Sequence, residues 1–358
     1  MSLRNLLSIG GASSLQGRVV GIDVGSSSIK VVELESRNNV VTLTTYGELQ
    51  LGPYDEDKAI GQAVTLTQAV ERQALVDILR ESVVKAKRAV LAMPLSASFV
   101  TIMSLDATTD EDISPRVRVE ARKHIPVPIA EVTLDWAEVE MADEENENSR
   151  DVLLAAIQNE ALNRFNVLMQ TVNFTNAPTE IECFSSIRGT YSSNEEDIAL
   201  IDIGATLTKL YIVRGGMLQR MYRVRAGGSE CTAKISADEK ISFEEAELLK
   251  RSITRNDEKF PVLQRIHHNH FSRVLKEFKQ VLADYETKIQ IEVPLIYLTG
   301  GAALFPGLDT FIANQMGREV RISNPFSKVA YPAFMEDTMK EIGPSFTTAL
   351  GAALRSFE

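Results

Sequence analysis

Cysteine is almost missing from this chain: Cys183 and Cys231 are the only two in 358 residues, and no CxxC spacing occurs. That excludes a disulfide framework and a thiolate zinc site, and it favours a reducing compartment. Positive charge is also short. With 38 Lys+Arg against 49 Asp+Glu the formal charge is −11, so no chain-wide field gathers nucleic acid or an anionic membrane, and nucleic acid is not expected as a partner. Long apolar runs are lacking. The longest uncharged stretch, VPLIYLTGGAALFPGL at 293–308, is too short to span a bilayer easily and is broken by Gly300, Gly301, Pro306 and Gly307, so no transmembrane segment is expected. The opening residues MSLRNLLSIGGASSLQG carry no secretory pattern, which places the expected chain in the cytoplasm. Neither GxGxxG nor GxxxxGK[ST] occurs, so a Rossmann or P-loop site is not supported. His267, His268 and His270 have no accompanying carboxylate or thiolate spacing, and a metal reading is set aside.

What is present reads as a globular α/β protein. Hydrophobic residues at 44% and charged residues at 24% are ordinary for such a chain, and its length exceeds what one core usually supports. In RVVGIDVGSSSIKVVELES, β-branched runs at 18–23 and 29–35 flank a Gly/Ser cluster, the pattern of a hairpin. An amphipathic helix over 70–86 and a buried strand ending at Pro94 follow. From 99 to 176 the order strand, helix, strand, strand, helix reads as an inserted subdomain with Trp136 as its anchor and the acidic stretch ADEENENSR as a solvated loop. The second half opens on DIALIDIGATLTKLYIVRGG. Placing Asp202 on Asp23 also places Gly204 on Gly25 and Lys209 on Lys30, an internal repeat of the hairpin unit. A helical region over 242–288, an apolar strand IEVPLIYLT with a glycine turn, and helices near 308–315 and 346–357 complete the chain.

A D-x-G-S/T-S/T hairpin has a mechanical reason to hold a triphosphate. Glycine admits phosphate oxygens close to the backbone, N–H groups and hydroxyls donate to them, and the aspartate holds a hydrated Mg²⁺ or orients water. Asp23, Gly25, Ser26, Ser27 and Ser28 form one such set, and Asp202, Gly204, Ala205, Thr206 and Thr208 the facing copy. The third turn, TGGAALFPGL at 299–308, leaves room at Gly300 and Gly301 for a flat ring and ribose. Met169, Met217 and Met221 are core fillers on this reading.

In this order the three motifs resemble the actin-like ATPase superfamily, which includes actin, the heat-shock chaperone ATPases, MreB and FtsA. GIDVGSSSIK is similar to the first phosphate hairpin, LIDIGATLTK to the second and YLTGGAALFPGL to the adenosine motif. The resemblance covers nearly the whole chain. It implies an α/β, ribonuclease H-like pair of lobes closing over Mg-ATP, with Asp23 and Asp202 catalytic and metal-holding, Lys30 and Ala302 joining the cofactor contacts, and Glu247, Lys250 and Arg251 near the ribose or adenine. The implied first lobe is 1–98 with 177–197 and 340–358; an FtsA-type subdomain occupies 99–176; the second lobe is 198–339, with 234–288 as its helical part.

Within the FtsA branch, VEARKHIPVPIAEVTLDW at 119–136 and the opening MSLRNLL resemble the type IV pilus assembly protein PilM family. The chain also stops after the closing helix, without FtsA's C-terminal membrane helix. That resemblance implies an ATP-binding scaffold at the inner face of the inner membrane, holding the N-terminal cytoplasmic tail of PilN between the first subdomain and the inserted one, among other pilus inner-membrane components. Arg122, Ile125, Pro126 and Pro128 mark the matching region. Self-association stays open, as does whether Leu3, Leu6 and Leu7 dock on the chain itself or on a partner. An FtsA-like filament-forming division protein and a superfamily phosphotransferase are the alternatives. Turnover is expected to be slow, because NAPTEIECF places Ala177, not an acid, before Pro178 where the chaperone ATPases carry a catalytic carboxylate.

Overall fold

Each half of the chain is seeded by one of the two repeated hairpins. The computed structural model describes residues 17–106, 112–139, 149–174, 177–192 and 197–357. Leu3, Leu6, Leu7 and most of the acidic stretch after Met141 lie outside them. Strands β1 (Gly17–Val24), β2 (Ser28–Arg37) and β3 (Val40–Gln50) form an antiparallel meander, followed by α1 (Gln68–Glu81) and the parallel strand β4 (Arg88–Met93). The next segment contributes β5 (Ser98–Asp106), α2 (Ser114–His124), β6 (Val132–Glu138), β7 (Ser149–Gln158) and α3 (Asn159–Thr171). Short β8 (Thr179–Ile181) and α4 (Glu182–Thr190) return to the first sheet. The second half runs β9 (Asp197–Ile203), β10 (Thr208–Arg214), β11 (Met217–Val224), α5 (Gly228–Glu239), α6 (Phe243–Ser252), α7 (Phe260–Ile289), β12 (Leu295–Thr299), α8 (Leu308–Met316), β13 (Glu319–Ile322) and α9 (Glu336–Leu354).

The repeat in sequence becomes a repeat in topology. The first sheet is ordered β3-β2-β1-β4-β8 and the second β11-β10-β9-β12-β13, each with two antiparallel and then two parallel pairings. All seven residues of β9 are buried, as a central strand covered on both faces requires. Burying each of its large apolar side chains contributes about 1.5–3 kcal/mol relative to exposure.

The segment between β4 and β8 carries its own sheet, β5-β7-β6, whose Leu134, Val152 and Leu154 pack against Val117 and Ala121 of α2. It is not an island. The other face of β7, with Leu153, Ala155 and Ile157, and Phe165 of α3 join the core that contains Val20 and Leu75.

Three boundaries differ from the sequence expectation for identifiable reasons. Helix α1 stops at Glu81, because Val83 takes φ +53° and the backbone N–H groups of Lys85 and Ala86 both donate to Glu33 Oε2 at 2.6 Å. The region 242–288 is two helices, the first opened by a capping box between Ser242 and Glu245. Helix α9 begins ten residues before Phe346 and carries Pro344 inside it; the Pro344 carbonyl accepts from Thr299 Oγ1 and the Gly300 N–H.

Candidate functional site

The two hairpins face each other across a cavity of about 740 Å³, within the range of small-molecule sites. In the first turn the Gly25 N–H donates to Ser28 O at 3.0 Å, and in the second the Gly204 N–H donates to Leu207 O at 2.9 Å, so both copies close the same way. Backbone bonds from outside brace the first turn: Leu51 N–H to Ser27 O and Val64 N–H to Ser26 O. Among the described residues, the N–H groups of Ser26, Ser27, Ala205 and Thr206 make no protein hydrogen bond, while all four residues line the cavity. Ser26 Oγ and Thr206 Oγ1 stand 3.3 Å apart and bridge the two turns.

The third turn closes the floor. Gly300 has φ +89°, and a Cβ there would overlap the Ile203 carbonyl and crowd Asp202 Oδ1, so only glycine fits. Nothing lies within 4 Å of a Cβ at Gly301, which opens onto the cavity. A Gly pair that sequence reasoning overlooked adds a fourth wall. Gly227 packs on the Ala205 carbonyl, and the N–H groups of Gly228 and Ser229 donate to Gly204 O and Ala205 O, which aims the N-terminus of α5 along the second turn. The doublet just before a helical stretch was the available signal.

Of the residues expected from sequence, the structure gathers Asp23, Gly25, Ser26, Ser27, Ser28, Lys30, Asp202, Gly204, Ala205, Thr206, Gly300 and Gly301 into one lining. It leaves others behind the wall. Thr208 is buried and donates to Ala226 O. Glu247 accepts from Thr232 Oγ1, Lys250 Nζ and Arg251 Nε at 2.6, 2.6 and 2.7 Å, and Lys250 and Ala302 back the Gly228 turn. His267 is also structural: its ring stacks on Phe305 of the third turn at 3.6 Å, its Nδ1 lies 2.8 Å from Leu263 O, and burial lowers its pKa to about 4. Ile125 is buried, with Arg122, Pro126 and Pro128 exposed around it.

Glu182 and Lys209, neither of them among the expected contacts although the repeat aligns Lys209 with Lys30, also line the cleft. Glu182, the first residue of α4, accepts from Leu95 N–H at 2.8 Å through Oε1 and from Lys209 Nζ at 2.8 Å through Oε2. Lys209 also donates to Asp202 Oδ2 at 3.0 Å. Glu180, two residues before Glu182, is buried elsewhere with Arg188 and Arg355. Burial acts to lower the Lys209 pKa, but the Asp202 and Glu182 carboxylates outweigh it and hold the ammonium well above its ordinary value. Asp23 is the opposite case. Burial pushes its carboxyl up to about 6, Lys30 and Lys209 pulling it back and Glu182 and Asp202 adding to the rise.

A sequence profile of the family described as type IV pilus assembly protein PilM matches residues 21–357. Among solved structures, a PilM-PilN type IV pilus biogenesis complex superposes with TM-score 0.79 at 22% identity, covering 97% of this chain and 100% of that one. Ethanolamine utilization protein EutJ from Carboxydothermus hydrogenoformans gives 0.57 at 16%, over 97% and 92%. MreB 5 of Spiroplasma citri bound to AMPPNP gives 0.51 at 14%, over 91% and 97%. The paired sheets and facing hairpins are thus the actin-like ATPase fold, and the chain belongs to the type IV pilus assembly protein PilM family.

Proposed function

We propose that this chain is a nucleotide-binding scaffold of type IV pilus assembly, with ATP in the cleft between the hairpins and the cytoplasmic tail of an inner-membrane partner, PilN, docked on the chain. The observation that carries the nucleotide is the set of four unspent backbone N–H groups, two on each turn, lining a cavity large enough for it. Unpaired N–H groups of successive turn residues are the usual cradle for phosphate oxygens. The partner reading follows from family membership and from the PilM-PilN complex to which the chain is similar. Among the described residues no helix is long and apolar enough to cross a membrane, which supports a peripheral position at the inner face held through partners. The lobe and subdomain limits given above are retained as the proposed division.

Magnesium expected at Asp23 and Asp202 does not fit as a directly ligated ion. One oxygen of Asp202 and one of Glu182 are engaged by the Lys209 ammonium, and no group of three or more His, Cys, Asp or Glu is arranged to hold a metal among the described residues. Glu182, with both oxygens accepting, is also a poor general base. Turnover below about 1 s⁻¹ is therefore proposed, since loss of one positioned acid–base group costs about 10²- to 10⁴-fold.

Calorimetric titration with ATP, on the wild type and on Gly25→Val, tests the cleft. Affinity that survives the valine unchanged would remove the nucleotide from this site. Co-expression with PilN followed by affinity capture tests the partner, and failure of PilN to co-purify with or without ATP would refute that half.

A further inference from the structure

Lys209 and Lys30 hold the same register position in the two hairpins, each directly across the strand pair from its aspartate, Asp202 or Asp23. Only one stays there. Lys209 Nζ sits between Asp202 Oδ2 at 3.0 Å and Glu182 Oε2 at 2.8 Å, the lengths of charge-assisted hydrogen bonds. The side chain is 9% exposed, so its charge has no other outlet.

A divalent ion in the same place would need those same oxygens. Magnesium asks for near-octahedral oxygen ligation at about 2.0–2.1 Å and gives up its waters reluctantly. It would first have to expel an ammonium that is covalently tethered to β10 and would then be buried without a partner. An ion from solution carries an association cost that a tethered ammonium does not. One of the two negative charges is thus already balanced, and one oxygen of each carboxylate already occupied, before any ligand arrives.

We propose that Lys209 is the resident cation of this cleft, its ammonium taking the place of a directly bound divalent metal between Asp202 and Glu182, so that nucleotide is held without a magnesium requirement. This rests on the nucleotide reading above, but its metal half stands apart from it. Asp23, which also lines the cavity, lies outside the ammonium's hydrogen-bond reach.

The test has two arms on the full chain. In the first, Mn²⁺ alone is titrated and free ion followed by electron paramagnetic resonance. The wild type is expected to bind no ion at Asp202; Lys209→Met, which unmasks the two carboxylates, is expected to gain one site that Asp202→Asn in the same background removes. A wild-type Mn²⁺ site abolished by Asp202→Asn would overturn the proposal whatever the nucleotide does. In the second arm, ATP affinity of the wild type is measured with excess Mg²⁺ and with excess EDTA, and the two values are expected to agree within about threefold. A loss of about tenfold or more in EDTA overturns the proposal without any variant having to fold. No ATP binding in either buffer would refute the nucleotide reading, leaving the Mn²⁺ arm to judge Lys209.

Discussion

The two hairpins share backbone and differ in charge pairing, and the difference traces to a neighbour and a position. In the first, Lys30 turns to Ser28 Oγ at 2.8 Å and to Glu48 at 3.3 Å, leaving the Asp23 carboxylate without a donor among the described residues. In the second, the residue equivalent to Ser28 is Leu207, which offers no side-chain acceptor, and Glu182 waits at the start of α4 instead. Lys209 therefore stays with Asp202. A repeat that is faithful in topology, register and turn closure has produced one half with a separated charge pair and one half with a closed triad.

The largest test of that contrast is removal of each lysine. Lys209→Met leaves two carboxylates buried without a counter-charge and should cost about 3–5 kcal/mol, whereas Lys30→Met, whose partners are partly solvated, should cost about 1 kcal/mol or less. Urea unfolding of both variants gives the comparison, and equal losses would erase it. Next come the aspartates, where the signs should oppose. Asp202→Asn removes an acceptor from a buried ammonium and should destabilise by about 1–3 kcal/mol. Asp23→Asn should stabilise at pH 7, raising Tm by about 1–2 °C if the gain is about 1 kcal/mol.

The pH dependence follows from the direction of the Asp23 shift. Its folded-state pKa, about 6, lies above the ordinary 3.8, so the native state binds the proton more tightly and the ionised carboxyl weakens the fold at neutral pH. The advantage of asparagine should be full above pH 6 and shrink as pH falls through 6, vanishing below 3.8, where the wild type is protonated in both states. Calorimetric scans at several pH values would show it, and an advantage that persists at pH 3.5 would contradict the shift. The smallest effect is expected at the hydroxyl bridge. Ser26→Ala and Thr206→Ala should each cost less than about 1 kcal/mol, and a double-mutant cycle should place their interaction near or below about 0.5 kcal/mol.

Much of this was readable in the chain because glycine and aspartate at fixed offsets declare a turn and its chemistry without help from distant residues. The hairpins and the third turn were legible on those grounds, and the strand–helix order of the inserted segment from its apolar periodicity. Other features depend on long-range partners. Strand β13, EVRI, is half polar and exists by pairing with β12. Strand β3 is a partly exposed strand whose register is set by β2. The early stop of α1 needs Glu33, some fifty residues back, and Glu182 becomes a cleft residue only because β8 is three residues long and α4 begins at once. Lys209 could be aligned from sequence, but what it grips could not.

Where α4 crosses α9, the contact is made by main chain. A Cβ at Gly351 would overlap the Ser185 carbonyl and one at Gly189 the Thr347 carbonyl, while Ser186 Oγ and Thr348 Oγ1 lie 2.9 Å apart between them. Side chains that interdigitate can re-pack when two bodies tilt; touching backbones cannot. The crossing therefore holds at a fixed height the helix that begins at Glu182 against the helix whose Pro344 carbonyl bonds the third turn, two cleft walls set by one spacing inside the first lobe. Gly351→Ala would push a Cβ into the Ser185 carbonyl and spread that spacing, and the expected result is a change in ATP affinity although residue 351 touches no part of the cavity.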